Sequence, residues 1–340
     1  MITIPDSFGA PTCANQCAVL GKPIAHSLSP VLHQAAYRAL GLEQSWSYHR
    51  YEVGEDALAG FLGSLDDSWR GLSLTMPLKR TIQPYGVPSN TWATTLHVAN
   101  TVVFDWDTPA HSAPARNTGL PLMRLYNTDV DGIDLAVRHA WQSQGTYPRT
   151  SGDISALVIG NGNTAMSAIA ALAQLRTPQD VSVDGITVAA RHPERNRDIV
   201  ALHEHPDSAG MPGMPRIDDI ISLEAAAGRI QDYQIIISTL PAHAADGLAR
   251  QLVASDLHVE GTLLDVAYDP HPSELNHAWS QAGGISIGGE EMLLYQAIGQ
   301  VCLMTGRGAQ AWTAGKPVDM DEVDGTLEDA MREALREAMK

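Results

Sequence analysis

The sequence predicts an α/β protein of two domains, the second of them a doubly wound sheet. Short apolar runs of buried-strand type alternate with helical patterns along the chain. Four such runs in the second half, separated by helical stretches, give the doubly wound pattern. The 340 residues accommodate about two domains at roughly 100–200 residues each.

In the first half, Cys17-Ala18-Val19-Leu20-Gly21 reads as a strand ending at a glycine turn. Ser29-Pro30 reads as a helix start, with Ser29 as N-cap and Pro30 at the first helical position. The segment Val31–Leu40 carries Leu32, Ala35, Ala36, Ala39 and Leu40 on one face, and Gly41 stands where a C-terminal glycine belongs. Trp46–Tyr51 alternates aromatic and polar residues as a strand does, and Gly71–Thr75 is a further strand ended by Pro77. Asp105–Leu120, rich in Pro, Ala, Asn and Thr, reads as a hairpin tip or surface loop. Asp131–Gln144 follows as a helix, and Thr146–Gly152 as a polar linker.

The second unit opens at Ile154–Ile159. Its further strands are Gly185–Ala190, Gln234–Ser238 and Thr262–Val266. His203–Arg216 reads as a surface loop. The tail from Asp319 to Lys340 reads as a solvated helix with a packing face of Leu327, Met331 and Leu335.

Composition narrows the function. With Lys+Arg 22 and Asp+Glu 39 the formal charge is −17, and no basic block offsets it, which argues against a nucleic-acid partner. No apolar run reaches the ~18 residues of a membrane-spanning helix. The opening Met1–Asp6 lacks the basic and apolar regions of a secretory signal. Cys13, Cys17 and Cys302 form neither a disulfide framework nor a zinc set, and fit free thiols of a reducing cytoplasm. His26, His33 and His97 have no metal-ligand spacing, so no metal is expected.

Gly160-Asn161-Gly162-Asn163-Thr164-Ala165 follows the first strand of the second unit and precedes a helix at Thr164–Leu175. This is the Gly-x-Gly-x-x-Ala dinucleotide turn in its required strand-turn-helix setting. Gly160 permits the tight turn, Gly162 lets backbone N–H groups approach a pyrophosphate, and Ala165 lets helix and strand pack closely. A site for NAD usually places an acid at the tip of the next strand, for the ribose 2′-hydroxyl. Here that strand runs into Ala190-Arg191-His192-Pro193. Arg191, with Arg195 nearby, offers a guanidinium to a 2′-phosphate instead, which predicts NADP, with NAD as the alternative.

The first unit carries polar residues that do not read as core. Ser27 and Ser29 stand before a helix start, where hydroxyls and free N–H groups suit a carboxylate. Thr75 lies at a strand end with Lys79 just beyond. Asn127-Thr128-Asp129 precedes a helix. Each has a plainer reading: Ser29 as a cap, Lys79 as one more solvated lysine, Thr128 or Asp129 as a helix cap.

Taken in order, these pieces resemble the shikimate dehydrogenase family, in its actinobacterial form, over nearly the whole chain. The motifs are Gly21-x-Pro23-Ile24-x-His26-Ser27-x-Ser29-Pro30-x-x-His33 and Leu74-Thr75-Met76-Pro77-x-Lys79. Ala99-Asn100-Thr101-Val102, Asn127-Thr128-Asp129-x-Asp131-Gly132 and the Gly160 turn follow. Asp265-x-x-Tyr268-Asp269-Pro270 and Gly289-x-x-Met292-Leu293-Leu294-x-Gln296-Ala297 complete the set. The resemblance implies reversible, NADP-dependent reduction of 3-dehydroshikimate to shikimate in aromatic amino-acid biosynthesis, by a cytoplasmic monomer or homodimer with a small-molecule substrate. An NAD-dependent quinate/shikimate dehydrogenase is the alternative. A binding protein without turnover would have no need of the Lys79 and Asp129 that this chain keeps.

The same resemblance implies residue roles. Lys79 and Asp129 match the catalytic pair; Ser27 and Ser29 hold the substrate carboxylate; Thr75, Asn100 and Gln296 bind ring hydroxyls or the carboxylate. Gly160, Gly162, Asn163, Thr164, Ala165 and Arg191 bind the cofactor, and Gly289 faces its nicotinamide end. A carboxylate beside an ammonium favours the charged form, which suits proton donation to a ketone. The implied domains are 1–130 with 290–340 for substrate binding and catalysis, and 131–289 as the Rossmann NADP-binding domain. The chain departs from the family pattern at Ser73, where many members carry Asn, and at Gln34 after His33. It departs again at Ala190-Arg191-His192 and at Thr239-Leu240-Pro241-Ala242-His243.

Overall fold

The computed structural model describes residues 13–110, 119–147, 154–177, 180–205 and 213–340. Met1–Asp6, the tip of the 105–120 loop at 111–118, residues 148–152 of the linker and 206–212 of the His203–Arg216 stretch lie outside the described residues. The chain divides into two compact units, Met1–Thr128 with Gln296–Lys340, and Asp129–Tyr295.

The first unit is built on β1 (Asn15–Gly21), α1 (Ser29–Ala39), β2 (Trp46–Glu52), α2 (Leu58–Leu62), β3 (Trp69–Leu74), α3 (Leu78–Thr81), β4 (Val87–Pro88), α4 (Thr91–Leu96), β5 (Thr101–Pro109) and β6 (Pro121–Tyr126). The sheet order is β2-β1-β3-β5-β6-β4. β1 pairs in parallel with both neighbours, as strands joined by helical crossovers do. β5 runs antiparallel to both of its neighbours, β3 and β6. The core below them gathers Leu20, Leu72, Leu74, Leu78, Val102 and Leu125.

Helix α1 begins one residue earlier than its sequence suggests. Leu28 is the N-cap and Ser29 the first helical residue, and no side chain caps the helix. The expected capping role of Ser29 is therefore corrected: its hydroxyl is turned to other partners. At the far end Leu42 N–H donates to Tyr37 C=O (2.7 Å) and Gly41 N–H to Arg38 C=O (3.1 Å), with Gly41 at φ +67°, a Schellman turn. The Asp105–Leu120 reading also needs correction, because β5 continues to Pro109. Its Phe104-Asp105-Trp106-Asp107 alternation continues a strand, and Arg124 on β6 pairs with Asp105 at 3.1 Å. Likewise the helix before the 203–216 stretch takes in His203 and Glu204.

The second unit comprises α5 (Asp129–Gln144), β7 (Ile154–Ile159), α6 (Asn163–Gln174), β8 (Val183–Ala189), α7 (Arg197–Glu204), β9 (Asp219–Ile221), α8 (Leu223–Ala227), β10 (Ile235–Ser238), α9 (Asp246–Ala254), β11 (Thr262–Asp265), α10 (Glu274–Gln281) and β12 (Ile285–Ile287). Its order, β12-β11-β10-β7-β8-β9, with every pair parallel, is that of a Rossmann sheet. The continuous apolar runs make sense here, since both faces are covered and the strand interiors are fully buried. Trp141 of α5 donates from Nε1 to Thr262 Oγ1 on β11 (2.9 Å), so a large buried ring keeps its polar handle satisfied.

Helix α11 (Gly289–Thr305) supplies residues to both units. The tail forms α12 (Gly325–Ala338), capped by Asp324, whose side chain accepts from Thr326 and Leu327 N–H. Leu327, Met331 and Leu335, four residues apart, form its buried stripe, and α12 packs against α1.

Candidate active site

In the Rossmann unit the chain order switches between β7 and β10, which is where such sheets bind ligands, beyond their carboxyl ends. Gly160 follows β7 at φ +119°, a conformation that L side chains rarely adopt. A Cβ there would run into Thr239 Oγ1 at the end of β10. Thr239 is held in turn, its N–H and Oγ1 donating to Ile159 C=O at 2.7 and 3.1 Å. Gly162 is exposed, a Cβ on it would meet nothing within 4 Å, and no side chain caps the helix that starts at Asn163. The first turn of α6, with Asn163 and Thr164, thus presents N–H groups beside open space, the arrangement a pyrophosphate requires. Ala165 is fully buried and lets that turn sit close to the sheet.

Beyond β8, Arg191 is exposed and no acid stands at the strand tip. Glu194, the first acid to follow, pairs with His192 Nδ1 at 3.6 Å. Two asparagines fasten this loop to the glycine turn. Asn161 Nδ2 donates to His192 C=O (2.6 Å), and Asn196 Nδ2 donates to Asn161 C=O (2.9 Å). Asn196 also caps α7. Gly289 begins α11, and a Cβ on it would strike the Val266 carbonyl after β11.

In the first unit, sequence-distant residues converge on a polar cluster. Ser27 Oγ donates to Ser29 Oγ (3.3 Å), and Arg50 Nη1 fixes the Ser27 carbonyl at 3.1 Å. Ser29 is buried although it opens a helix. Thr75 leaves β3 with its N–H on Leu20 C=O (2.9 Å). Asn100 sits just before β5: its Nδ2 donates to Gln296 Oε1 (3.3 Å) and Thr128 Oγ1 (2.9 Å), while its Oδ1 accepts from Thr128 N–H (2.9 Å) and Thr101 Oγ1 (2.8 Å). Lys79, half-buried on α3, is tied in through its carbonyl, which accepts Ala99 N–H at 2.9 Å. Asp129 is buried in the first turn of α5, in the second unit.

Tyr48 and Gln300, to which the sequence reading gave no site role, complete the cluster with Ser73 and His33. Tyr48 Oη donates to Ser73 Oγ (2.6 Å), and Ser73 Oγ donates to Gln300 Oε1 (2.8 Å). Gln300 Nε2 donates to the Asn100 carbonyl (3.2 Å). His33 stacks on Tyr48 with centroids 3.8 Å apart and reaches Gln300 Oε1 through Nε2 (3.3 Å). Because a carboxamide oxygen only accepts, Nε2 carries the hydrogen. Nδ1 is buried without a partner, so a second ring proton would have no acceptor, and burial lowers the imidazole pKa to about 3. Burial likewise raises the Tyr48 phenol, which stays protonated. Gln300 was within reach of sequence reasoning, since it lies one helical turn beyond Gln296 on the same face. Tyr48 was not, because nothing local marks a strand hydroxyl as a site neighbour; Ser73 stood out only as a departure from the family pattern.

The family model "Shikimate dehydrogenase substrate binding domain" matches residues 19–102. The chain is 32% identical over 323 residues to the shikimate dehydrogenase (NADP(+)) of Methanothrix thermoacetophila, covering 94% of this chain and 97% of that protein. The chain belongs to the shikimate dehydrogenase family. Among solved structures, shikimate dehydrogenase of Mycobacterium tuberculosis is 32% identical with a TM-score of 0.69, covering 95% of this chain and 99% of the other. A shikimate 5-dehydrogenase of Mycobacterium fortuitum is 34% identical with a TM-score of 0.62, covering 94% and 97%. This shikimate dehydrogenase family member is accordingly an oxidoreductase, and its α/β architecture is the family's own.

Proposed function

We propose that the protein catalyses the reversible, NADP-dependent reduction of 3-dehydroshikimate to shikimate, in the cytoplasm, as a monomer or homodimer. The observation that carries the reading is the polar cluster of the first unit. There Asn100 and Gln296, 196 residues apart, bond to each other (3.3 Å), and Ser27 bonds Ser29 (3.3 Å) in the same unit. A small hydroxylated acid needs just such a set: hydroxyl donors for its carboxylate, and groups that both donate and accept for its ring hydroxyls. Thr75 adds a hydroxyl to it. Residues 1–130 with 290–340 form the substrate-binding and catalytic domain, and 131–289 the NADP-binding domain.

The glycine turn fits a dinucleotide. The room above Gly162, the uncapped turn of α6 and the buried Ala165 would hold the pyrophosphate through Asn163 and Thr164, with Gly289 toward the nicotinamide end. Arg191 would take the 2′-phosphate, and the absence of an acid at the β8 tip favours NADP over the NAD-dependent quinate/shikimate alternative. That relatives of this chain are shikimate dehydrogenases (NADP(+)) supports the same choice. The nicotinamide, when bound, supplies or accepts the hydride. Lys79 donates a proton to the carbonyl oxygen of the ketone as it becomes an alcohol, and takes it back in oxidation. Asp129 is the acid that matches its family partner.

Purified protein given shikimate with NADP, and separately with NAD, tests this by nicotinamide absorbance. Reduction of NADP much faster than of NAD is expected. No reduction of either would overturn the assignment.

A further inference from the structure

The dinucleotide fingerprint constrains Gly160, Gly162 and Ala165 and leaves the residue between the two glycines free. In this chain that residue is Asn161, and its carboxamide reaches out of the turn. Its Nδ2 donates to the His192 carbonyl across 2.6 Å, from 31 residues away. A carbonyl only accepts, so the carboxamide faces it with its N–H end. The same carbonyl accepts the Arg195 N–H (3.2 Å), which occupies its second lone pair. Asn196 returns the contact: its Nδ2 donates to the Asn161 carbonyl (2.9 Å), while its Oδ1 accepts from Asp198 and Ile199 N–H. On the other side of Arg191, Ala190 N–H donates to Ile221 C=O at the end of β9 (3.1 Å). Arg191 therefore lies between two tethered neighbours. Pro193 removes further freedom, because a residue before proline is confined to extended backbone, and His192 sits at φ −140°.

The glycine turn has its own ties and does not depend on this carboxamide. Gly160 N–H donates to Ala189 C=O (2.8 Å), and Thr239 N–H and Oγ1 hold Ile159 C=O beside it. We propose that Asn161 is a positioning residue for cofactor choice: it ties the loop that carries Arg191 to the pyrophosphate turn, and so sets the guanidinium at the spacing from that turn that a 2′-phosphate requires. The inference rests on the proposed function, in which Arg191 takes the 2′-phosphate. In NADP the 2′-phosphate and the pyrophosphate hang from one adenosine ribose, so their separation varies little. Two anion sites held at that separation in advance bind the pair without first being ordered. NAD has no 2′-phosphate and engages the turn alone. The Asn161 tether therefore acts on NADP and not on NAD.

Asn161→Ala tests this, read as kcat/KM for each cofactor at saturating shikimate and as the calorimetric Kd for NADP. For NADP, kcat/KM should fall and Kd rise about 3- to 10-fold, the worth of one neutral hydrogen bond, with kcat at saturating NADP unchanged. For NAD, kcat/KM taken from the initial slope of rate against concentration should stay the same. In an Arg191→Ala background, Asn161→Ala should cost NADP binding nothing further, because the group it positions is gone. Should Asn161→Ala not fold, Asn196→Ser, which keeps a capping hydroxyl for α7 and loses the reach to Asn161, should shift the NADP preference in the same direction. Wild-type protein that turns over neither cofactor, or that prefers NAD, sinks the cofactor reading and this proposal together. Where wild type prefers NADP, the proposal alone is sunk by an Asn161→Ala loss equal for both cofactors, by no loss, or by a loss that persists with Ala at position 191.

Discussion

Acidification should destabilise the first unit through one buried imidazole. His33 is fully buried, donates from Nε2 to Gln300 and has no acceptor at Nδ1. Its pKa is about 3 in the folded chain against the ordinary 6.5. Between those values the unfolded chain binds a proton that the folded chain refuses, so stability rises with pH and is lost as pH falls from 6.5 toward 3. The slope approaches ~1.4 kcal/mol per pH unit, and the loss from pH 7 to pH 5 amounts to about 2 kcal/mol. Asp265 and Glu290 work in the opposite sense, since burial raises both and protonation relieves them. The wild-type profile alone therefore mixes signs, and a His33→Gln comparison isolates the imidazole. Urea denaturation of both proteins at pH 7, 6 and 5 should show the stability gap closing, or inverting, by about 2 kcal/mol in the variant's favour as pH falls. Parallel pH profiles for wild type and variant would refute the reasoning, because they would mean that His33 takes up its proton equally in both states.

The functional assignments give sharper kinetic expectations. Lys79→Ala should cut turnover ~10²-fold or more, the scale of a positioned acid-base group; an unchanged chemical step in single-turnover kinetics would remove Lys79 from that role. Gly160→Ala forces a Cβ onto φ +119° and toward Thr239. It should cost about 1–3 kcal/mol of stability and raise the KM for NADP, while the shikimate Kd measured by calorimetry without cofactor stays put. Arg191→Ala should raise the KM for NADP about 10-fold or more, one charge-assisted hydrogen bond, and leave the KM for NAD unchanged; equal losses with both cofactors would place Arg191 away from the 2′-phosphate.

The second unit was the more legible half in the sequence, for a physical reason. A parallel sheet covered on both faces needs continuous apolar strands, and Ile154–Ile159 or Ile235–Ser238 can be little else. Its ligand turn is local too, because six consecutive residues from Gly160 to Ala165 carry the geometric demand. The first unit's site is instead assembled over long separations: Ser73 with Gln300 lies 227 residues apart and His33 with Gln300 lies 267. Sequence nominated the Ser29 hydroxyl for a carboxylate by its place at a helix start, and also read it as the helix cap. Pro30 is the second helical residue rather than the first, because the helix opens at Ser29 itself. A side chain on the first helical residue is no longer placed to receive the N–H groups that a capping residue would accept. That one-residue shift releases Ser29 from a structural duty and leaves its hydroxyl, buried beside Ser27, to the carboxylate it is proposed to bind. Local propensity reads the start of α1 nearly correctly; what the small error conceals is the chemical freedom of the residue on which substrate binding is proposed to turn.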